Sequence, residues 1–151
     1  MENKTGARIL NPVRFEDLRG EFIETWSDLA LPGFSWKRDN LSVSQRGVLR
    51  GIHGAPNTVK LVSCIVGRAY VVVVAPDRSA VDYFILPNSN RLRLLVPAGC
   101  GLGYYALTDV VYSYKQSTDY GEDEEFTWKW NDLSLAIRWP DANPILSERD
   151  K

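Results

Sequence analysis

The sequence predicts an all-β protein, either a barrel or a sandwich, on three observations. Short apolar or alternating runs of about 4–8 residues, rich in Val, Ile, Tyr and Phe, follow one another along the chain. Gly, Pro, Asn and Asp punctuate them. Helical periodicity is nearly absent, and many short strands without alternating helices belong to barrels and sandwiches rather than to parallel α/β folds. The 151 residues suit one domain with one sizeable core. There is no composition break, internal repeat or low-complexity stretch, so residues 1–151 are read as a single domain.

Taken in order, residues 15–18 are expected to form one helical turn, 21–26 a strand, and 26–31 a second helical turn. Strands follow at 41–44, 48–52 and 60–66, the last carrying Leu61-Val62-Ser63-Cys64-Ile65-Val66. Val66-Gly67-Arg68-Ala69 reads as a tight turn into a strand at 69–74. Within that strand Val71-Val72-Val73-Val74 is apolar on both faces, so both faces must be buried. This suits a central strand between two layers, or one whose second face meets a partner subunit. Further strands are expected at 82–86, 91–96, 103–107 and 110–114. Tyr104 and Tyr105 are read as barrel packing, and Trp130 and Trp139 fit the core and the lining of a pocket equally well.

Composition narrows the function. Net charge is −1 with both signs interspersed, which gives no support for nucleic acid or an acidic membrane as partner. The acidic run Glu122-Asp123-Glu124-Glu125 reads as a solvated loop. Two cysteines are too few for a disulfide scaffold. Cys64, in an apolar strand, is expected to be buried and inert, whereas Cys100, after Pro97-Ala98-Gly99, is expected to be more accessible. The polar opening Met1-Glu2-Asn3-Lys4 predicts no secretory leader, and no segment approaches the roughly 20 apolar residues of a membrane span. A cytoplasmic protein is the expectation.

One residue dominates the chemistry. His53 is the only histidine, and imidazole is the usual acid–base group near neutral pH. A lone His and two isolated Cys cannot supply the His₃, His₂Glu or two-His-one-carboxylate sets of common metal sites, so metal-free chemistry is expected.

The string around it is informative. Asp17-Leu18-Arg19-Gly20-Glu21-Phe22-Ile23-Glu24, then Asn40-Leu41-Ser42-Val43-Ser44, lead into Gly47-Val48-Leu49-Arg50-Gly51-Ile52-His53. Lys60-Leu61-Val62, Tyr114-Lys115, Tyr120, Trp130-Asn131-Asp132, Trp139-Pro140 and Leu146-Ser147-Glu148-Arg149-Asp150 follow. Together these spaced motifs resemble the dTDP-4-dehydrorhamnose 3,5-epimerase family over nearly the whole length. The resemblance implies a cupin-like jelly-roll homodimer that epimerises nucleotide-linked 4-keto-6-deoxy sugars without a cofactor. It implies His53 as base, Asp150 as the carboxylate that holds the imidazole, Tyr114 as the acid on the opposite face, and Lys60 beside the keto oxygen. It also implies that Arg19 and Arg50 bind the diphosphate, that Phe22 and Glu24 bind the nucleotide across the dimer, and that Tyr120 lies against the base.

The physical chemistry agrees with that assignment. A carbon next to a ketone is a weak acid whose conjugate base carries its charge on the keto oxygen. Inversion needs a base on one face, an acid on the other, and a donor at that oxygen. Taken singly, the same residues have plainer readings: Tyr114 a strand aromatic, Lys60 a solvated strand end, Arg19 a surface charge, Asp150 a tail residue.

The chain also departs from the family pattern. His53-Gly54-Ala55 lacks the usual glutamine after the histidine. Leu102 stands where a second histidine is usual, and Arg38 near the place of a glutamine, where it can add a charged contact to the substrate. These changes fall on recognition, and they predict an unusual substrate: inversion at C3, with C5 as a second centre, on a dTDP-, CDP- or GDP-linked sugar destined for a polysaccharide or glycosylated product. Two other readings compete, a non-catalytic sugar-nucleotide-binding cupin and a 4-keto-sugar 3,4-ketoisomerase. Solvent exchange abolished by substitution of His53 separates the enzyme from the binder, and product analysis separates epimerase from isomerase.

Overall fold

A computed structural model describes residues 3–151. Its strands are β1 (Arg8–Leu10), β2 (Val13–Asp17), β3 (Gly20–Glu24), β4 (Arg38–Ser44), β5 (Leu49–Gly54), β6 (Lys60–Val66), β7 (Arg68–Val74), β8 (Val81–Pro87), β9 (Arg93–Val96), β10 (Gly101–Ala106), β11 (Val110–Gln116) and β12 (Phe126–Thr127). Single 3₁₀ turns cover Asn88–Asn90 and Glu148–Asp150. The strands form two five-stranded sheets, in the orders β1-β9-β6-β11-β4 and β12-β5-β10-β7-β8, plus the β2–β3 hairpin. Every paired strand is antiparallel.

The two large sheets close face to face on one apolar core. Val62 and Cys64 of β6, Leu94 and Val96 of β9, and Tyr112 of β11 meet Val71 and Val73 of β7 and Leu102 and Tyr104 of β10. This is the cupin-like jelly roll. Each sheet also has its outer face covered in part. Leu31, Trp26, Phe34 and Trp36 lie over Leu61 and Leu95 on one side. Leu135, Trp128, Ile137 and Trp139 lie over Ile52, Val72 and Val74 on the other. Val71 to Val74 are therefore fully buried on both faces, and the second face is closed by the chain's own C-terminal segment. Trp139 belongs to that cover, away from the cavity.

Several expectations are corrected. Residues 15–18 form no helical turn: Phe15 lies in β2, paired with Phe22 of β3. Residues 26–31 do contain one turn, closed by the Leu31 N–H on the Ser27 carbonyl at 3.1 Å. The turn at Gly67 joins β6 to β7 as expected, but the two strands lie in opposite sheets, so the chain passes between layers there. Gly67 has φ +82°, and a Cβ would come 2.0 Å from the Asp109 carbonyl oxygen, so glycine is required at this crossing. Cys100 is buried, not accessible, and burial pushes its thiol and that of Cys64 up to about 11. Among the described residues no helix is long and apolar enough to cross a membrane.

Candidate active site

His53 sits within β5 rather than after it, and the second sheet presents it toward the first. It opens on a cavity of about 300 Å³ lined by β4, β5, β6, β10, β11 and the C-terminal turn. Lys60 begins β6 and Tyr114 lies on β11, both in the facing sheet, while Asp150 closes the cavity from the Glu148–Asp150 turn. Four residues separated by up to 97 positions are thus gathered around one space.

The imidazole has a polar neighbour beside each nitrogen. Asp150 Oδ1 stands 2.8 Å from His53 Nε2, with both side chains largely buried. That oxygen is withdrawn from solvent and has no other polar partner among the described residues. His53 Nδ1 lies 3.1 Å from the Thr127 hydroxyl on β12, which pairs directly opposite. Burial holds the His53 pKa below its ordinary value; the Asp150 charge opposes this, and Arg149 and Lys60 add to it. Burial thus favours the uncharged form of the ring. Lys60 is almost fully buried and donates from Nζ to the His53 carbonyl at 3.2 Å. Burial, helped by Arg38 and Arg149 against Glu125, lowers its ammonium to about 8.

The wall toward β4 is polar. Arg38, Asn40 and Ser42 alternate along β4 and face the cavity. The Arg50 guanidinium donates to Ser44 Oγ at 3.0 Å and to the Val43 carbonyl at 3.3 Å. The Tyr104 hydroxyl lies 2.8 Å from Ser42 Oγ and 2.9 Å from Ser44 Oγ, and its ring stacks on Tyr112 at 4.3 Å. Tyr104 is thus part of the cavity wall as well as of the core, a correction to its reading as packing alone.

Other expected residues lie apart. Tyr120 is exposed in an adjoining groove that shares Arg38 and Glu125 with the cavity, and the Arg38 guanidinium stands 6.0 Å from its ring centre. Arg19 pairs with Asp17 at the tip of the β2–β3 hairpin, Phe22 is exposed on that hairpin, and Glu24 accepts from the Ser27 hydroxyl at 2.8 Å. None of these three reaches the cavity within one chain. Thr127, Glu125, Ser147 and Gln116 escaped sequence reasoning. Nothing but pairing and folding reveals them, since each is a common polar residue in a loop or at a strand end.

A closed two-sheet roll carrying a held imidazole on one wall and a phenol on the other, with a buried amine in the same space, defines a cupin-like protein built for acid–base chemistry on a bound small molecule. The chain belongs to the dTDP-4-dehydrorhamnose 3,5-epimerase family, whose model matches residues 3–151. It is 38% identical to the dTDP-4-dehydrorhamnose 3,5-epimerase of Streptomyces griseus, over 97% of this chain and 80% of that one. Among solved structures it is similar to dTDP-4-dehydrorhamnose 3,5-epimerase from Bacillus anthracis with TDP and PPi bound. There the TM-score is 0.90 at 34% identity, covering 99% of this chain and 94% of the other. It is also similar to a 3'-monoepimerase from Streptomyces bikiniensis in complex with dTDP-quinovose, with a TM-score of 0.87 at 29% identity over 99% and 84% of the two chains.

Proposed function

We propose that this protein is a cofactor-independent epimerase that inverts C3 of a nucleoside-diphosphate-linked 4-keto-6-deoxy sugar, with C5 as the second centre to test. The observation that carries the proposal is the placement of His53 and Tyr114 on facing sheets around one cavity, with Lys60 opening into the same space. His53 takes the proton from the carbon beside the ketone on Nδ1, whose lone pair the Thr127 hydroxyl gives up to the substrate, while Nε2–H stays on Asp150. The electron pair of that C–H bond moves to the keto oxygen, and the Lys60 ammonium donates to the enolate oxygen as its charge develops. Collapse of the enolate takes a proton from the Tyr114 hydroxyl on the other face, which inverts the carbon. The Asp150 carboxylate steadies the imidazolium while it exists, the role of the third member of a triad. Solvent then reprotonates the phenolate and deprotonates the imidazolium. No electron acceptor is needed in this sequence.

The trough supports an orientation. The sugar lies at His53, the diphosphate passes Arg38, Arg50 and Arg149, and the base reaches Tyr120. Guanidinium forks suit a diphosphate because two parallel N–H donors match two oxygens. Since the similar structures hold TDP or a dTDP-sugar, thymidine diphosphate is the first carrier to test, with CDP and GDP as comparators. Two free thiols suit a reducing compartment such as the cytoplasm.

We further propose a homodimer in which the β2–β3 hairpin brings Arg19, Phe22 and Glu24 to the partner's nucleotide. Val13, Phe15 and Phe22 are exposed on the hairpin, and Leu41 and Val43 point outward from β4, an edge strand, all as apolar surface without a cover. The test of the enzyme is incubation with dTDP-, CDP- and GDP-linked 4-keto-6-deoxy sugars in deuterated water. Deuterium should enter at C3, and His53→Asn should slow that entry by about 10²–10⁴ while nucleotide binding persists. No uptake at C3 or C5 with any of the three would reject the enzyme.

A further inference from the structure

Leu102 is the one aliphatic side chain among the residues that line the cavity; every other is charged, polar or phenolic. It is directly opposite His53 across the β10–β5 pair, so the two side chains share a face about 5 Å apart at Cβ. Its neighbours Gly101 and Gly103 offer no side chain, and the next inward residue, Tyr104, has its hydroxyl engaged with Ser42 and Ser44. The strip of wall beside the imidazole therefore has no free donor or acceptor side chain on β10. Lys60, by contrast, reaches His53 from the facing sheet.

Resting on the epimerase reading above, we infer that Leu102 selects the substituent at C2, and that the substrate is a 2-deoxy sugar, a 2,6-dideoxy-4-ketohexose. The inference sets the ketone at Lys60, C3 at His53 and C2 against Leu102, the side chain beside the imidazole on β10. A methylene packs on the leucine side chain. A hydroxyl there loses its water and finds no partner, which disfavours binding and the transition state alike. An apolar wall rejects an added hydroxyl by about 10²-fold at most, so the preference is strong without being absolute.

The experiment compares two 4-keto-6-deoxy sugars on the same nucleoside diphosphate, one with a C2 hydroxyl and one with a C2 methylene. The readout is kcat/KM for deuterium entry at C3. Because the hydroxyl itself alters the acidity of C3, the decisive quantity is the preference ratio of the wild type divided by that of Leu102→Asn. The expected wild-type preference for the 2-deoxy sugar is about 10–100-fold, with Leu102→Asn reducing it at least tenfold and Leu102→Met keeping it. Equal ratios in wild type and Leu102→Asn, with exchange proceeding, would overturn the inference and leave the epimerase standing. Exchange with neither sugar would instead overturn the epimerase reading.

Discussion

At the scale of single residues the site is governed by burial. The His53 ring and the Lys60 ammonium line one cavity and are each largely buried, and both lose affinity for protons as a result. The consequence is a bell-shaped kcat/KM profile with an assignable origin for each limb. As pH falls through a value below the ordinary 6.5 of imidazole, His53 becomes charged and can no longer accept the substrate proton. As pH rises through about 8, Lys60 loses the ammonium that the proposed mechanism directs at the enolate. Activity should therefore peak near neutrality, and Lys60→Met should lower it by about 10²–10³ while removing the alkaline limb near 8. A wild-type profile flat from pH 7 to about 9.5 would show that the amine does not titrate in the reaction. Asp150→Asn tests the other contact. Its buried oxygen 2.8 Å from Nε2 has only the ring to serve, so kcat should fall by about 10²–10⁴ with KM little changed, the split expected of a group that holds the base rather than the substrate.

At the scale of elements, β4 shows what a sequence can and cannot disclose. Arg38, Asn40, Ser42 and Ser44 face inward, and Asp39, Leu41 and Val43 face out. The usual alternation is inverted, and the inversion is readable in the sequence once the strand is known to wall a polar cavity. The strand at residues 41–44 was legible from Leu41 and Val43, but its first three residues were not, because their polarity belongs to the site rather than to a core. The long apolar strands β6, β7 and β11 were legible for the opposite reason: their pattern is fixed by burial alone. β1 and β12, of three and two residues, exist because β9 and β5 offer them edges, a property of the folded sheet that no local run of residues carries. The glutamate-rich loop hid Glu125 among solvated neighbours until folding turned it toward the cavity. One glycine ties β5 to β10. Gly51 has φ +125°, and a Cβ there would stand 2.5 Å from the Gly103 Cα and 2.8 Å from the Leu102 carbonyl oxygen. Gly51→Ala should destabilise the fold by about 2 kcal/mol or more. For a chain of this length that lowers Tm by roughly 4–8 °C in a thermal melt. An unchanged Tm would mean that the two strands have room that the structure does not show.

At the scale of the whole molecule, the proposed nucleotide contact of the β2–β3 hairpin has to be reconciled with a cavity that the hairpin does not touch. Arg19 sits in the turn of the exposed β2–β3 hairpin and Phe22 on β3, while His53 lies inside the roll. In a two-fold dimer each hairpin can reach the other chain's site, and the geometry then makes a prediction that no monomer can meet. Arg19→Ala weakens the nucleotide contact, and His53→Asn removes the base, so each variant alone should be at least tenfold impaired. In a mixed dimer the two defects fall together on one site. The other site receives His53 from the first chain and Arg19 from the second, both intact. If the variants are unfolded and refolded together at equal amounts, half of the dimers are mixed and half of their sites are whole, so about one quarter of wild-type exchange activity should return. Activity that stays at the level of the separate variants, in a preparation shown by light scattering to be dimeric, would mean that Arg19 acts within its own chain or not at all. Replacing Leu41 and Val43 with lysine bears on the same point. If the outward face of β4 is buried between subunits, two buried ammonium groups per chain should shift the protein to monomer and abolish the complementation together.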